Sequence, residues 1–366
     1  MKRLTFALVV LAAGLARFDG LSSPAAVAQT STAADGTARA VTAANAFLAT
    51  LSAAQRTAVM LELRPDLQAR WSNLPTGTVM QVDRERSKTP LPRNGLRLGD
   101  LTAAQRDAVQ ALLRATLSAE GVQKVNDIVA SDEEQERRAA PSRPPTAPVR
   151  FGRAEYYVAI LGTPSTSAPW MLQFGGHHLA INLSYSGANR TLAPTHLGAQ
   201  PSMFTLESRT VRPLGDEVDK AVALLNALDA KQRQQATLNY AVADTVLPAG
   251  SDGKTIEPEG VPVSTFSAAQ RQLLMAVIGE WVRVADDAAA AARIKEIEGG
   301  LADTYFAWSG PPTKEGGAYF RIHGPAVVIE YAPQALQTRG PDGAPEHIHT
   351  IYRDPTNDYG RKFSRR

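Results

Sequence analysis

SDEEQERRAAPSRPPTAPVRFGRAEYYVAILG, residues 131–162, is where the chain changes texture. A charged, helix-like tail runs into four prolines and then into EYYVAILG (155–162), whose β-branched and aromatic residues suit a strand. Proline fixes φ and cannot continue a helix, so 131–149 reads as a Pro-rich connector between two regions.

Upstream, 29–130 reads as a helical N-terminal region. Alanine and leucine recur at helical spacing over 39–50, 53–63, 103–118 and 121–130, around a polar loop, RWSNLPTGTVMQVDRERSKTPLPRNGLRLGD (70–100). A degenerate motif appears four times: LSAAQRTAVML (51–61), LTAAQRDAVQALL (101–113), LDAKQRQQATLNY (228–240) and FSAAQRQLLMAVI (266–278). Each has an apolar residue, then Ser, Thr or Asp, then a helix-forming run. The polar oxygen caps free amides, and the apolar residue can pack back on the first turns. The starts are 50, 127 and 38 residues apart. A solenoid needs a fixed period, so the motif reads as a reused helix-start device.

Downstream, 150–366 alternates strand and helix. WMLQFGGHHLAINLSYSG (170–187), PSMFTLES (201–208), DTYFAWSG (303–310), AYFRIHGPAVVIEYAP (318–333) and HIHTIYRD (347–354) read as strands. Helices are predicted at 214–228, 231–242 and 267–297, with a loop at 247–265. Strand blocks flanking a helical block predict an α+β fold: a helical N-terminal third followed by a mixed or antiparallel β-core with inserted helices, not a doubly wound sheet. There is no GxGxxG, P-loop, GxSxG or HExxH motif.

The first 28 residues read as a secretory signal peptide. Lys2 and Arg3 precede an apolar run from Leu4 to Leu15, too short to span a bilayer, and Ala26-Val27-Ala28 fits cleavage after Ala28. An uncleaved anchor is the alternative. Loss of Lys2, Arg3, Arg17 and Asp19 takes the formal charge from +3 to +1, which gives no reason to expect nucleic acid as partner or stable membrane insertion after cleavage. Export without any cysteine fits a periplasmic or secreted protein and excludes disulfides and thiolate chemistry.

All six histidines follow the connector. In HIHTIYRD, strand alternation puts His347, His349, Ile351 and Arg353 on one face. Imidazoles at i and i+2 stand about 6–7 Å apart, close enough to converge on one metal. In FGGHHLAINLSY, His178, Ala180, Asn182 and Ser184 share a polar face, which favours His178 over His177 as a ligand; His177 reads as packed in the core against a backbone partner. In YFRIHGP, Tyr319, Arg321 and His323 share a face. Glu330, an acid in an apolar strand, is a candidate third ligand or general base, or else the ion-pair partner of Arg321 or Arg353. His196, in a loop by this reading, is the weakest candidate. Asp354 and Asp358, with Asn182, could orient a ligating histidine from behind, although Asp354-Pro355 and Asn357-Asp358 also suit turns.

GGHHLAIN, YFAWSG…AYFRIHGPAVVIEYAP and HIHTIYRDPTNDYG resemble a bacterial family designated domain of unknown function 3500, over most of the mature chain. The resemblance implies one coherent, mostly exported domain and carries no assigned activity.

These observations support three expectations. The first is a metal-dependent enzyme, hydrolase ahead of oxidoreductase. His347 and His349 with His178 and His323 would bind Zn²⁺, Fe or Cu, Glu330 would act at the site, and Arg321 or Arg353 would hold a small, anionic substrate. The second is a non-catalytic binding module for an anionic small molecule or a metal. The third is a structural envelope protein without a site.

Overall fold

The computed structural model describes residues 32–81, 88–90, 92–144, 147–313, 317–334, 343 and 345–363. The signal segment 1–28 and its cleavage point after Ala28 lie outside them. Among the described residues no helix is long and apolar enough to cross a membrane.

The fold is α+β, as expected. The α-helices are α1 (Ala33–Ala49), α2 (Ala53–Val59), α3 (Pro65–Gln68), α4 (Ala103–Thr116), α5 (Ala119–Ala139), α6 (Gly215–Ala227), α7 (Ala230–Ala236), α8 (Ala268–Val282) and α9 (Asp287–Gly299). One sheet of twelve strands carries the core. Its strands, numbered within this sheet, are β1 (Met60–Leu61), β2 (Leu96–Arg97), β3 (Tyr157–Leu161), β4 (Trp170–Gly176), β5 (Leu179–Ser186), β6 (Asn189–Thr191), β7 (Thr195–Ala199), β8 (Val261–Pro262), β9 (Tyr305–Ser309), β10 (Tyr319–His323), β11 (Val328–Pro333) and β12 (Ile348–Arg353). The order is β1-β3-β4-β5-β7-β12-β11-β10-β9-β8, with β2 on β3 and β6 on β5. Only β1 and β3 pair in parallel; the other strand pairs are antiparallel.

That order reads the same from either end because the chain contains two copies of one unit. Tyr157 pairs with Gly175 and Gly175 with Ala180; 148 positions later Tyr305 pairs with His323 and His323 with Val328. Leu96 pairs with Val158 as Val261 pairs with Phe306. Gly95 and Gly260 precede those pairs with positive φ (82° and 101°). A Cβ on either would lie about 2 Å from the carbonyl oxygen of Val158 or Phe306, so both turns need glycine.

The helix-start motif marks the same duplication. Ser52, Thr102, Asp229 and Ser267 each accept from the amide three residues on, and Gln55, Gln105, Gln232 and Gln270 answer the cap's own amide. The glutamines also pair between motifs: Gln105 Nε2 donates to Gln55 Oε1 (3.0 Å), and Gln270 Nε2 to Gln232 Oε1 (2.8 Å). The motif is thus two coupled pairs, one in each copy, which is why its spacing has no single period.

The two faces of the sheet differ. One carries Ile160, Phe174, Ile181, Leu197, Phe320, Ile329 and Tyr352, packed in one core with residues of α1, α4, α5, α6, α8 and α9. The other carries Gln173, Asn182, His196, Glu330, His349 and Arg353, all buried. It packs with Leu67 and Trp71 and with Ala249 and Tyr359, residues outside the strands. The polar loop of 70–100 is therefore partly interior, with Trp71, Ser72 and Asn73 buried.

Residues 131–139, the charged tail, belong to α5, and Thr32–Arg366 form one compact unit. Two sequence readings are corrected here. The single helix expected over 267–297 breaks between Val282 and Asp287, where Asp286 takes extended backbone at the start of α9. The strand read over 170–187 is a hairpin, β4 and β5 joined at His177-His178.

Ser267→Ala should cost about 1 kcal/mol. Gln270→Ala should cost more, since its amide also reaches the Ala227 carbonyl and Gln232. Urea midpoints rank the two; a Gln270→Ala protein no less stable than Ser267→Ala would contradict the coupling of the motifs.

Candidate metal centre

The hairpin turn creates the site. His178 has φ 62°, in the left-handed region that few non-glycine residues adopt. Both sides of its peptide are held: its N–H donates to the Asn73 carbonyl (3.0 Å) and its carbonyl accepts from Gly198 N–H (2.7 Å). Gly198 lies on β7 directly opposite His349 on β12. A Cβ there would stand 2.9 Å from the Ile348 carbonyl oxygen and 3.2 Å from the His178 ring. The missing side chain is the space that admits His178 between the central strands.

His178 Nε2 stands 2.7 Å from His347 Nε2, and His347 Nε2 stands 3.0 Å from His349 Nε2. One ligand atom from each lies within 4.8 Å of the others, so these three buried histidines could hold a metal ion. Behind them, Asp244 accepts from His349 Nδ1 at 2.9 Å. In a neutral ring that bond puts the proton on Nδ1 and leaves Nε2 a bare lone pair, the arrangement that orients metal-binding imidazoles. Gln334 Nε2 fixes Asp244 from the other side at 2.7 Å. Asp244 is half-buried; although burial pushes its carboxyl up, the bond to His349 holds it below its ordinary range.

Burial, reinforced by the neighbouring imidazoles, pulls His347 down to about 3 and His178 well below the usual range; both are neutral at pH 7. If His178 Nε2–H donates to His347, the lone pairs of His347 and His349 face each other across 3.0 Å. If instead His347 Nε2–H donates to His349, His178 either sets a second N–H against it or carries its proton on Nδ1, which is buried without a partner. No tautomer set of three neutral rings pairs every nitrogen. A metal among the Nε2 atoms would take up all three lone pairs and leave only the His178 Nδ1–H without a partner, with the nitrogens spreading to the roughly 3.3–3.4 Å that bonds of about 2.0–2.1 Å require in a tetrahedral set.

Two further histidines adjoin the three. His177 stacks on His178 with ring centres 3.6 Å apart, and its Nδ1 lies 2.6 Å from Asp132 Oδ1 on α5. Asp132 Oδ2 accepts from Gly152 N–H (2.7 Å), so the carboxylate is fully engaged. His177 is packed as expected, on a carboxylate rather than a backbone group. His196 is on a strand, β7, and not in a loop; its ring centre lies 5.3 Å from that of His349.

The remaining sequence candidates lie elsewhere. His323 is level with Val328 and Arg353, four residues along β11 from Ala332, the partner of His349. That is roughly 13 Å along the sheet, so His323 is no ligand of this centre. Glu330 accepts from the amides of Val246 (2.9 Å) and Leu247 (2.8 Å) and from the Tyr319 hydroxyl (2.6 Å). Arg353 donates to the carbonyls of Leu247 and Pro248 and pairs with Asp252 and Asp358. Both side chains fasten the loop that begins at Asp244; neither faces the histidines as base or substrate clamp. Arg321 pairs with Glu259 (2.7 Å). Asp354 binds Arg293 and Thr356, Asp358 binds Arg353 and the Asp354 amide, and Asn182 donates to the Pro194 carbonyl. The acids that do stand behind the cluster, Asp132 and Asp244, sit in SDEEQERR and AVADT. Nothing local sets them apart, since their partners are 45 and 105 residues away.

The chain belongs to the family described as protein of unknown function (DUF3500), whose model matches residues 33–361. No curated protein and no solved structure matches it.

Gly198→Ala should push His178 out of line and weaken metal binding at least tenfold, and Asp244→Asn should weaken it by about 10–100-fold. Titration with Zn²⁺ against a competing chelator reads both; affinity unchanged in either would contradict the geometry. In metal-free protein, the folded state keeps His178 and His347 neutral below the unfolded imidazole value of about 6.5. Protons then bind the unfolded chain first, so stability falls as pH drops from about 6.5 toward 4. The urea midpoint should be lower at pH 5 than at pH 7.5, and His347→Gln should narrow that gap.

Proposed function

We propose that this protein is an exported metal-dependent enzyme with His178, His347 and His349 as ligands. The observation that carries the reading is the convergence of one ring nitrogen from each of three histidines within 4.8 Å, with Asp244 hydrogen-bonded behind one ring. Three neutral imidazoles leave a position for water or substrate, the ligand count of hydrolytic zinc sites. Zinc in such a set lowers the pKa of a bound water toward 7 and supplies the nucleophile.

Hydrolysis stands ahead of oxidation for a structural reason. Non-haem iron oxygenases use two histidines and one carboxylate as direct ligands. Here Asp244 is bonded to His349 Nδ1, behind the ring. Zinc is therefore the favoured metal, with copper next and iron last. The substrate is a small molecule; since Arg321 and Arg353 are engaged in ion pairs, any anionic group on it would be met by the metal.

Elemental analysis of protein exported from its native host, purified without chelator or added metal, tests this. About one metal per chain is expected, falling to none in His347→Ala/His349→Ala with the far-ultraviolet circular dichroism retained. Equal metal content in the double variant and the wild type would refute the ligand set.

A further inference from the structure

His196 is wholly buried, and neither of its ring nitrogens has a hydrogen-bond partner. An imidazole has one donor and one acceptor to satisfy, and leaving both unmade in an interior costs on the order of 2–6 kcal/mol. Its surroundings offer no relief: Trp71 packs on it with ring centres 6.3 Å apart, and the indole N–H is spent on the Tyr359 hydroxyl (2.7 Å).

The side chain is on the same sheet face as His349. His196 is opposite Ile351, and Gly198, two residues along β7, is opposite His349. Gly198 therefore leaves open the space into which His178 projects. The two rings meet His349 from different sides, with centres 5.3 Å from it in each case. His196 is not one of the three residues whose ligand atoms cluster, so it stands one layer out from a bound metal.

We infer that His196 holds the exchangeable ligand of the metal centre, a water or a small anion such as azide or a carboxylate, by a hydrogen bond from its ring. This rests on the metal reading above. A ligand in the open position supplies the partner that the protein itself withholds from this ring, and the ring makes the open position selective for ligands that can accept or donate a hydrogen bond.

The test uses the full mature chain loaded with Cu²⁺ or Co²⁺ and titrated with azide, following the charge-transfer and ligand-field bands. His196→Phe should retain one metal per chain yet bind azide at least tenfold more weakly, and His196→Gln should recover part of that loss. Azide affinity equal to wild type in His196→Phe with the metal retained would overturn the inference and leave the metal reading standing. Loss of the metal from a folded His196→Phe protein would make His196 a ligand and overturn it equally. A wild-type chain that takes up no metal would fell both. If His196→Phe does not fold, His196→Gln carries the comparison, with unaltered azide affinity as the refuting result.

Discussion

The pairing of β7 with β12 is the contact on which everything functional depends. It joins the two copies of the duplicated unit. Its register sets an empty position, Gly198, against an occupied one, His349. A slip of one residue in β12 would turn His349 to the helix-covered face and bring Ile348 and Tyr352 to the polar face, because side chains alternate strictly along a strand. The register is pinned by apolar residues on the other side: Leu197, Ala199, Ile348 and Tyr352 all enter the main core. The hydrophobic face thus fixes the geometry of the polar one, and the precision of the centre derives from burial rather than from bonds among the histidines.

Duplication explains what surrounds the centre, and divergence explains why only the first hairpin turn supplies a histidine to it. The hairpin turn after Gly175 reads Gly-His-His-Leu; its counterpart after His323 reads Gly-Pro-Ala-Val. His178 corresponds to Ala326, whose carbonyl accepts from Arg293. Arg293 in turn pairs with Asp354 and donates to the Tyr352 hydroxyl. Where the first turn supplies an imidazole, the second is closed by an ion pair. The same conversion runs along the sheet. Asn94 bonds Gln173 in the first copy, and Glu259 pairs with Arg321 at the same place in the second. A second metal ligand set has no counterpart residues there to build on.

Much of this was legible in the sequence, and what was not has identifiable causes. The i, i+2 spacing of His347 and His349 and the alternation in LAINLS placed the right side chains on the right face, because period-2 geometry is local. The helix-start motif located four helices for the same reason. The hairpin was missed because HH offers no turn signal: the left-handed turn sits on a histidine instead of the expected glycine or asparagine. His196 was missed because Thr195–Ala199 is a five-residue strand between two prolines, too short to show a pattern. The sequence marks Glu330 as an ionisable group in an apolar strand that needs compensation, and Arg353 as a possible partner for it. Sequence cannot say whether the compensating partner is substrate or, as here, loop backbone.

The duplication itself escaped because it is written in register and not in period. Offsets between equivalent residues shrink along the chain, from 177 at Ser52 and Asp229 to 165 at Thr102 and Ser267 and to 148 at Tyr157 and Tyr305. Loop lengths drift freely, since each doubling of a loop costs only about 0.6 kcal/mol. Strand pairings cannot drift, since every pair is tied to a buried face. The conserved quantity is therefore the pairing of residues across strands, and it places the histidine cluster at the join of the two copies, where each strand neighbour comes from a different half of the chain. A centre built there requires both halves folded and correctly paired, so a metal held at His178, His347 and His349 would stabilise the entire sheet by mass action. Burying five rings around this point is costly where their nitrogens lack partners, and a metal held there would offset part of that cost at the place where the two copies meet.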